Sequence, residues 1–376
     1  MTSTEWIEGS VSAVAVAEAD QAALRAWDRL VAETPGSDVS QLHAWARVRS
    51  TAGFGRLHVF VHRGTTLVAG AQILVRRLPG IGAIGYLPYG PVVAAAGPER
   101  EHVLEVLGRA LATLAKNRLI MLFVQPPESA DGIVPILLRA GFRRSTAGIA
   151  PIGSVRVDLS IDEEGLRKGL RNHRLSRFAK NRRWESRGLK VRIGDEQDVP
   201  VLSELMVCTA ARQGFDPLST DYLAALYREL AATGHVTLFI GEIDGVPVAS
   251  HLYTLCADTV KYRLTGFDRD RDVAGVGAPG VLHWEAMRWA KAEGYRWFDF
   301  GGLNEVSLGA AADGNRAGIP SHDSFKLDFG GTPYRFPAPV ELIASPWLRR
   351  AYDAARCWPG GRRLIARTAR LLRGGR

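Results

Sequence analysis

Cysteine is scarce in this sequence, and its placement excludes two kinds of site. The 376 residues contain three cysteines, Cys208, Cys256 and Cys357, and no two of them stand at the spacing of a metal-binding pair. A disulfide framework or a zinc site is therefore not expected. Isolated cysteines are typical of a protein kept in a reducing compartment, so the composition predicts a cytoplasmic protein without a bound metal.

Long apolar runs and two common catalytic motifs are also missing. No uninterrupted apolar stretch approaches the length that a membrane-spanning helix needs. The segment Met1–Glu8 contains acids and no basic n-region, so we expect no signal peptide. Neither Gly-x-x-x-x-Gly-Lys-Ser/Thr nor Gly-x-Ser-x-Gly occurs, which argues against an ATP-driven reaction and against a serine hydrolase.

Acidic residues are nearly absent from two segments. Residues 167–192 carry eleven Lys or Arg against one acid, Glu185, and residues 349–376 carry nine Arg against one acid, Asp353. Because the whole chain has a net charge of +9, the remainder is net acidic. Two basic patches on an acidic body suit a polyanion such as nucleic acid or anionic lipid headgroups.

The two halves of the chain show the same order of predicted elements. Each half has an antiparallel hairpin, a third strand, a long helix and a buried strand, which indicates an internal duplication of one α/β unit. The predicted elements of the first half are 57–62, 67–75, 81–87, 98–116 and 119–124, and those of the second half are 236–242, 246–255, 260–267, 279–293 and 297–300. The fold class is α/β (α+β), with domains at 1–160 and 161–345 and an Arg-rich C-terminal tail at 346–376.

The segment from Ser321 to Gly331 has an alternating pattern that predicts a short strand. Phe325, Leu327 and Phe329 face one side of this strand, and Gly330-Gly331 ends it. On the pattern alone, Lys326 is an ordinary solvated lysine.

The same segment contains Phe-Lys-x-x-Phe-Gly-Gly and resembles a motif of the Fem family (FemABX). These enzymes transfer an amino acid from aminoacyl-tRNA to an amine, typically on a cell-wall precursor. The resemblance implies two tandem GNAT-like acyltransferase domains, here without a coiled-coil arm. It also implies that Lys326 and Phe325 lie at the catalytic centre, with aminoacyl-tRNA as a co-substrate and no other cofactor.

Several further stretches resemble Fem motifs, so that the likeness covers roughly residues 20–345. Gln41 to Arg49 matches an early pattern that places Arg49 where a lysine contacts the acceptor phosphate. The stretch Thr209 to Phe215 matches Thr-x-x-Arg-x-Gly-Phe, which gives Arg212 a role in binding the acceptor. Asp299-Phe300-Gly301-Gly302 matches the family's Asp-Phe-Gly-Gly strand end.

Two positions on the acceptor side depart from the Fem pattern. Tyr89 stands where cell-wall members usually have arginine, and Gln125 stands where Asp-Pro is usual. These departures argue against a UDP-linked or lipid-linked muramyl peptide. They make a specialised acceptor with a free amine, such as an antibiotic scaffold, an alternative to the peptidoglycan precursor. Tyr262, on the third strand of the second unit, is a further candidate for the acceptor pocket, with a core position as the alternative.

The basic segment 167–192 is predicted to form one helix that resembles the basic helix of the Fem family. A solvated basic face is the ordinary interpretation of such a run, but the excess of unpaired charge favours contact with the tRNA backbone. The residues predicted to contact tRNA are Arg174, Arg177, Lys180, Arg182 and Arg183. For the C-terminal tail, a membrane-surface element, a tRNA contact and a frayed helix are equally compatible with the sequence.

Two other functions remain open at this point. The stretch Arg271 to Gly277 imitates the loop by which GNAT enzymes bind acyl-CoA, although its spacing is one residue too long, and it suggests an acyl-CoA-dependent N-acyltransferase. A non-catalytic nucleic-acid-binding protein on a degenerate transferase fold is the other alternative. The histidines, including His173, His251, His283 and His322, have no nucleophile pattern around them and are expected to be structural.

Overall fold

The computed structural model describes residues 4–8, 11–78, 80, 82–130, 132–172, 175–176, 179–272, 275–313 and 318–373. The chain forms two compact units. Unit 1 consists of Met1–Ala150 and Phe336–Arg376, and unit 2 consists of Pro151–Arg335.

Unit 1 is built on one mixed sheet. Its strands are β1 Thr4–Glu8, β2 Val11–Val16, β3 Gly55–Arg63, β4 Thr66–Leu78, β5 Gly82–Leu87, β6 Val92–Val93, β7 Met121–Val124, β8 Arg143–Arg144 and β16 Val340–Ile343. The strand order is β1-β2-β3-β4-β5-β7-β16-β8, and β6 pairs with β4. The only parallel pair among these described strands is β5 with β7, and the other pairs are antiparallel.

The helices of unit 1 cover this sheet and end in a C-terminal pair. They are α1 Gln21–Glu33, α2 His43–Thr51, α3 Glu99–Arg118, α4 Ile133–Arg139, α11 Pro346–Cys357 and α12 Pro359–Arg373. Helix α3 forms where the sequence predicts it, because its apolar stripe, including Leu104, Leu107 and Leu111, is buried against the sheet.

Unit 2 repeats the arrangement. Its strands are β9 Gly153–Asp158, β10 Leu189–Gly194, β11 Val236–Ile243, β12 Val246–Cys256, β13 Thr259–Phe267, β14 Trp297–Leu303 and β15 Thr332–Arg335. The strand order is β10-β11-β12-β13-β14-β9-β15, and β13 and β14 are parallel. The helices are α5 Glu163–Gly169, α6 Val199–Gln213, α7 Thr220–Ala231, α8 Ala278–Ala292, α9 Glu305–Ala312 and α10 Ser321–Leu327.

The predicted duplication is confirmed in the order and pairing of the elements. The series β3-β4-β5-α3-β7 corresponds to β11-β12-β13-α8-β14, and both hairpins contain a register shift near their turn. In both units the strand that follows the long helix lies parallel to the third strand. This is the GNAT-like order that the sequence predicts.

The predicted domain boundaries differ from the observed units. Strand β9, which was expected in the first domain, pairs with β14 and belongs to unit 2. Strand β16 was expected in the second domain, but it pairs with β7 in unit 1, and the C-terminal tail also belongs there. Each unit thus contains one strand, β16 in unit 1 and β9 in unit 2, that lies beyond the predicted boundary in the sequence. The order of elements along the chain does not predict this exchange.

Two secondary-structure predictions are wrong. The segment after Pro320 forms helix α10 and not a strand, because Asp323 and Leu327, four residues apart, are its buried residues. The basic segment is not one helix. It contains the end of α5, two short 3-10 turns at Lys180–Arg182 and Glu185–Arg187, and strand β10, with Gly188 in a left-handed conformation before the strand.

Candidate active site

Helix α10 holds the ammonium group of Lys326 against the end of strand β14. The Nζ atom donates a hydrogen bond of 2.5 Å to the carbonyl oxygen of Gly302 and lies 3.4 Å from Oδ1 of Asp323. The side chain of Lys326 is 15% exposed, and that of Asp323 is 2% exposed. A lysine has three N–H donors, so these contacts leave a third donor for a ligand at the partly open face.

A second layer of polar contacts fixes both anchors of Lys326. Asn304 donates from Nδ2 to Oδ2 of Asp323 over 3.1 Å, so the second oxygen of that buried carboxylate is also satisfied. Asp299 accepts hydrogen bonds from the Gly301 amide at 2.7 Å and from the Tyr334 hydroxyl at 2.8 Å. These bonds shape the irregular end of β14, from which the Gly302 carbonyl meets the lysine.

Phe325, the neighbour of Lys326, belongs to an aromatic wall around His283. The ring centroids of Phe325 and His283 lie 5.6 Å apart, and those of Tyr262 and His283 lie 4.5 Å apart. His283 Nδ1 is 2.9 Å from the hydroxyl of Tyr253, which in turn lies 3.1 Å from Nδ1 of His251. The structure therefore brings Phe325, Lys326 and Tyr262 together around two buried histidines.

These histidines are uncharged near neutral pH because burial opposes protonation. Desolvation lowers the pKa of His251 to about 3. It also lowers the pKa of His283 well below its usual value, and the charges of His251 and Lys326 act in the same direction. Burial raises the pKa of Tyr262 to about 12. The Nε2 atoms of both histidines are buried without a hydrogen-bond partner in the part of the chain that the structure describes.

An apolar cleft of about 260 Å³ lies beside Phe325. Its described lining combines the aromatic side of α10 with the first turn of α8 and with the basic segment. The lining residues are Asn172, Leu175, Phe267, Val276, Gly277, Pro279, Gly280, Phe325, Asp328 and Phe329. The guanidinium of Arg212 is exposed and lies 5.4 Å from the centroid of the Phe267 ring, so this predicted acceptor residue stands next to the cleft.

The first turn of α8 is capped by a carboxylate of the chain itself. Asp272 accepts hydrogen bonds from the backbone amides of Val276 at 2.9 Å, Gly277 at 2.8 Å and Ala278 at 3.3 Å. Amides at the start of a helix are the groups that bind phosphate in many proteins. Here an internal anion already takes those three donors.

Two of the predicted acceptor residues of unit 1 lie together. The Gly90 amide donates to the Gln125 carbonyl at 3.1 Å, and the Gln125 amide donates to the Leu87 carbonyl at 2.9 Å, which joins the turn containing Tyr89 to the end of β7. Nε2 of Gln125 is buried and has no hydrogen-bond partner among the described residues. The ring of Tyr89 packs edge-on against Phe336 at 5.3 Å.

A buried polar network supports this turn from below. Nε2 of Gln41 donates to the Pro88 carbonyl at 2.7 Å, and its Oε1 accepts from the Gln72 amide at 2.8 Å. Oε1 of Gln72 is 3.0 Å from Nε2 of His58, whose pKa burial lowers to about 4. The network gives the turn a fixed shape at the predicted acceptor side.

Arg49 is buried by the C-terminal helix. It is 1% exposed, donates from a guanidinium nitrogen to the Leu372 carbonyl at 2.9 Å, and lies 4.2 Å from the centroid of the Phe54 ring. In this structure the guanidinium binds the end of α12. A contact between Arg49 and an acceptor phosphate stays a prediction, and it requires α12 to move.

The basic segment presents part of its predicted tRNA surface. Lys180, Arg182 and Arg183 are exposed, and Arg182 pairs with Glu185 at 2.7 Å. Arg174 and Arg177 lie outside the described residues. Contact with tRNA stays a prediction for all five positions.

The described part of the chain has neither a cluster of metal-ligating side chains nor a helix suited to span a membrane. No group of three His, Cys, Asp or Glu side chains is placed to hold a metal ion. None of its helices combines the length and the apolar character that crossing a membrane requires.

Two residues of the site were missed from the sequence. His283, which is expected to be structural, lies among Phe325, Tyr262 and Lys326. Asp323 and Asp272 carried no signal of their own. The i, i+3 spacing of Asp323 and Lys326 becomes informative only when the segment is recognised as a helix.

Comparisons with known proteins place this arrangement in the acyltransferase fold. Residues 171–312 match the model of the acetyltransferase (GNAT) domain. The crystal structure of FemX is 17% identical, with a TM-score of 0.75, and the match covers 87% of this chain and 98% of that chain. A comparison with curated protein sequences finds no match.

Two further solved structures are similar at lower scores. A tandem GNAT protein from the clavulanic acid biosynthesis pathway, solved without AcCoA, is 15% identical with a TM-score of 0.51, covering 89% of this chain and 99% of that chain. The structure of L-PGS from Bacillus licheniformis is 14% identical with a TM-score of 0.51, covering 93% and 98%. The chain therefore has a tandem GNAT fold of the Fem type, and the resemblance to the Fem family is confirmed for the fold.

The buried histidines predict an acid-sensitive stability. Unfolded His251, His283 and His58 bind protons below their ordinary pKa of about 6.5, whereas the buried side chains resist protonation. The free energy of unfolding should therefore be insensitive to these groups above pH 6.5. Below that pH each should lower it by about 1.4 kcal/mol per pH unit until its folded pKa is reached. Urea denaturation between pH 7.5 and 4.5 measures this slope.

Replacing one buried histidine isolates its share of the acid slope. His58→Gln, which keeps a polar side chain beside Gln72, should reduce the slope, whereas Ile193→Ser, a change at an exposed position without a titrating group, should not. An unchanged slope in His58→Gln would show that this imidazole is not held neutral.

Proposed function

We propose that this chain transfers an aminoacyl group from aminoacyl-tRNA to an amine acceptor and forms an amide bond. The observation that carries the proposal is the Lys326 ammonium, which is held by Gly302 and Asp323 with one N–H left over and with the apolar cleft beside Phe325. The fold likeness to FemX supports the same reaction class. An acceptor that is a peptidoglycan precursor peptide or an antibiotic scaffold fits this reaction, and Arg212, which stands next to the cleft, is a candidate for binding it.

The proposed reaction needs no energy source beyond the donor ester. The acceptor nitrogen attacks the ester carbonyl, so that a C–N bond forms and the C–O bond to the ribose breaks. The proton lost by the nitrogen ends on the ribose oxygen that leaves. Negative charge builds on the carbonyl oxygen in the tetrahedral intermediate, and Lys326 donates its third N–H to that oxygen.

The surroundings of Lys326 make this electrostatic contribution strong. The buried, neutral His283 and two phenylalanine rings lie behind the cation. A fixed cation in a poorly solvated site stabilises a developing anion more than a cation in water does. The Asp323 carboxylate holds the ammonium in place without occupying all of its donors.

An acyl-CoA-dependent N-acyltransferase is the second candidate. The GNAT model match over residues 171–312 favours it. The capped first turn of α8 argues against it, because Asp272 already accepts from the Val276, Gly277 and Ala278 amides and would repel a pyrophosphate. A purely nucleic-acid-binding role would leave the anchored lysine without a purpose.

Replacing Lys326 tests the central step. Lys326→Met keeps most of the side-chain volume and removes the charge, so transfer should fall about 100- to 1,000-fold in kcat, the usual effect of losing one oxyanion donor. Binding of tRNA should persist. Mixed radiolabelled aminoacyl-tRNAs with a panel of amines measure the transfer, and exposed Lys116→Met serves as the matched control. Full transfer by Lys326→Met would refute the assigned role.

The capped helix predicts that coenzyme A is not bound. Acetyl-CoA in large excess should leave the melting temperature of the protein unchanged. Labelled acetyl-CoA should transfer no label to any amine. A rise in melting temperature, together with transfer from acetyl-CoA alone, would replace the tRNA proposal with the acyl-CoA alternative.

The cleft beside Phe325 is proposed to receive the acylated end of the tRNA donor. A Cβ atom at Gly280 would lie 3.7 Å from the Leu175 methyl groups, so alanine fits there while leucine fills the space. We expect Gly280→Leu to lower kcat/KM for aminoacyl-tRNA about tenfold through a higher KM. Gly280→Ala should raise stability by roughly 0.5 to 1 kcal/mol, as usual for helical glycine.

Gly309 in α9 is the matched control for this cleft. A Cβ atom there meets none of the described residues within 4 Å, so Gly309→Leu should leave donor KM unchanged. Equal donor KM in the Gly280→Leu and Gly309→Leu variants would exclude the cleft from donor binding.

A further inference from the structure

Helix α11, the first of the two C-terminal helices, has an outward face that the proposed reaction does not use. Its exposed positions follow helical spacing and are mostly apolar. We name this set the outer stripe; it consists of Trp347, Arg350, Ala351, Ala354, Cys357 and Trp358. Trp347 is 80% exposed and Trp358 is 66% exposed. Trp347 lies in the first turn of α11 and Trp358 directly follows its last residue, so the two exposed indoles mark the two ends of this helix.

The opposite face of α11 is fixed to unit 1, which keeps the outer stripe exposed. Arg349 donates to Glu341 of β16 at 2.8 Å and to Asp353 at 2.9 Å, and Glu341 is fully buried. Tyr352 is also buried and its hydroxyl lies 3.4 Å from Glu341. Helix α11 therefore already packs on unit 1 through its opposite face, and the outer stripe is not needed for that packing.

The surroundings of the outer stripe are strongly positive, which indicates an anionic binding partner. Residues 349–376 carry nine arginines against one acid, and that acid pairs with Arg349. Arg350, Arg362 and Arg363 are exposed. The next helix, α12, adds exposed Leu364. Exposed tryptophans with apolar neighbours, bordered by arginines, match the interface of an anionic lipid bilayer, where indole rings prefer the headgroup level and cations meet lipid phosphates.

We propose that the outer stripe binds the surface of an anionic membrane. Contact with a nucleic acid would use the arginines and would not need two solvent-exposed indoles separated by alanines. Binding is peripheral, since no described helix is suited to span a bilayer. The proposal stands on unit 1 alone and does not depend on the proposed transfer reaction.

Vesicle binding by the full-length protein tests the proposal. The protein should sediment with phosphatidylcholine vesicles that contain phosphatidylglycerol and should not sediment with pure phosphatidylcholine vesicles. Its tryptophan fluorescence should shift to shorter wavelength on binding. The double variant Trp347→Ser/Trp358→Ser should lose about tenfold or more in partitioning. Arg350→Gln should weaken binding by a smaller factor, and salt should have less effect on that variant.

Two controls keep the outcomes separate. Ile193→Ser removes an exposed apolar side chain from unit 2 and should bind vesicles like the unaltered protein. The tryptophan double variant should keep its melting temperature and its transfer to a soluble amine. If it loses tRNA binding while vesicle binding is unaffected, the stripe is a tRNA surface and the proposal is wrong. If it loses a concentration-dependent dimer in the absence of vesicles, the stripe is a self-association surface, and the proposal is equally wrong.

Discussion

The candidate active site depends on how one ammonium group is held. Lys326 is an ordinary surface residue by its sequence pattern, and helix α10 turns it into a fixed cation by aiming it at the Gly302 carbonyl and the Asp323 carboxylate. Both anchors are themselves fixed, since Asn304 satisfies Asp323 and Asp299 shapes the end of β14. A flexible lysine would lose side-chain entropy on meeting a transition state, whereas this one is already ordered.

The neutrality of the neighbouring histidines matters for the same reason. A protonated His283 beside Lys326 would compete for any anion and would repel the ammonium. Burial among Phe325, Tyr262 and Tyr253 keeps the imidazole uncharged. Lys326 then supplies the positive charge beside the aromatic wall, and the Nε2 atoms of both histidines, which have no partner among the described residues, lie in the poorly solvated surroundings on which its electrostatic effect depends.

Much of the fold could be predicted because hydrophobic periodicity and turn residues determine it locally. The two hairpins, helices α3 and α8 and the strands after them lie close to their predicted positions. Strands β9 and β16 could not be assigned to their units, because their pairing partners lie far away in the sequence and no local sequence pattern identifies such partners. The strand predicted around Lys326 is wrong. The alternation of Phe325, Leu327 and Phe329 is typical of a strand, but the segment is a helix whose buried residues are Asp323 and Leu327. Arg49 was read from a motif, and its burial by α12 depends on a contact 323 residues away.

The capped start of α8 bears on which donor the proposed reaction can use. In unit 2 the three amides that could bind a pyrophosphate donate to Asp272, and the adjoining cleft is lined largely by apolar groups. A diphosphate brought there would have to displace a carboxylate and face its charge. In the proposed reaction, an aminoacyl group would place no such charge at the helix end, and the exposed cations of the basic segment are the predicted partners of the tRNA phosphates. The position of a single aspartate thus favours a donor that keeps its phosphates away from α8.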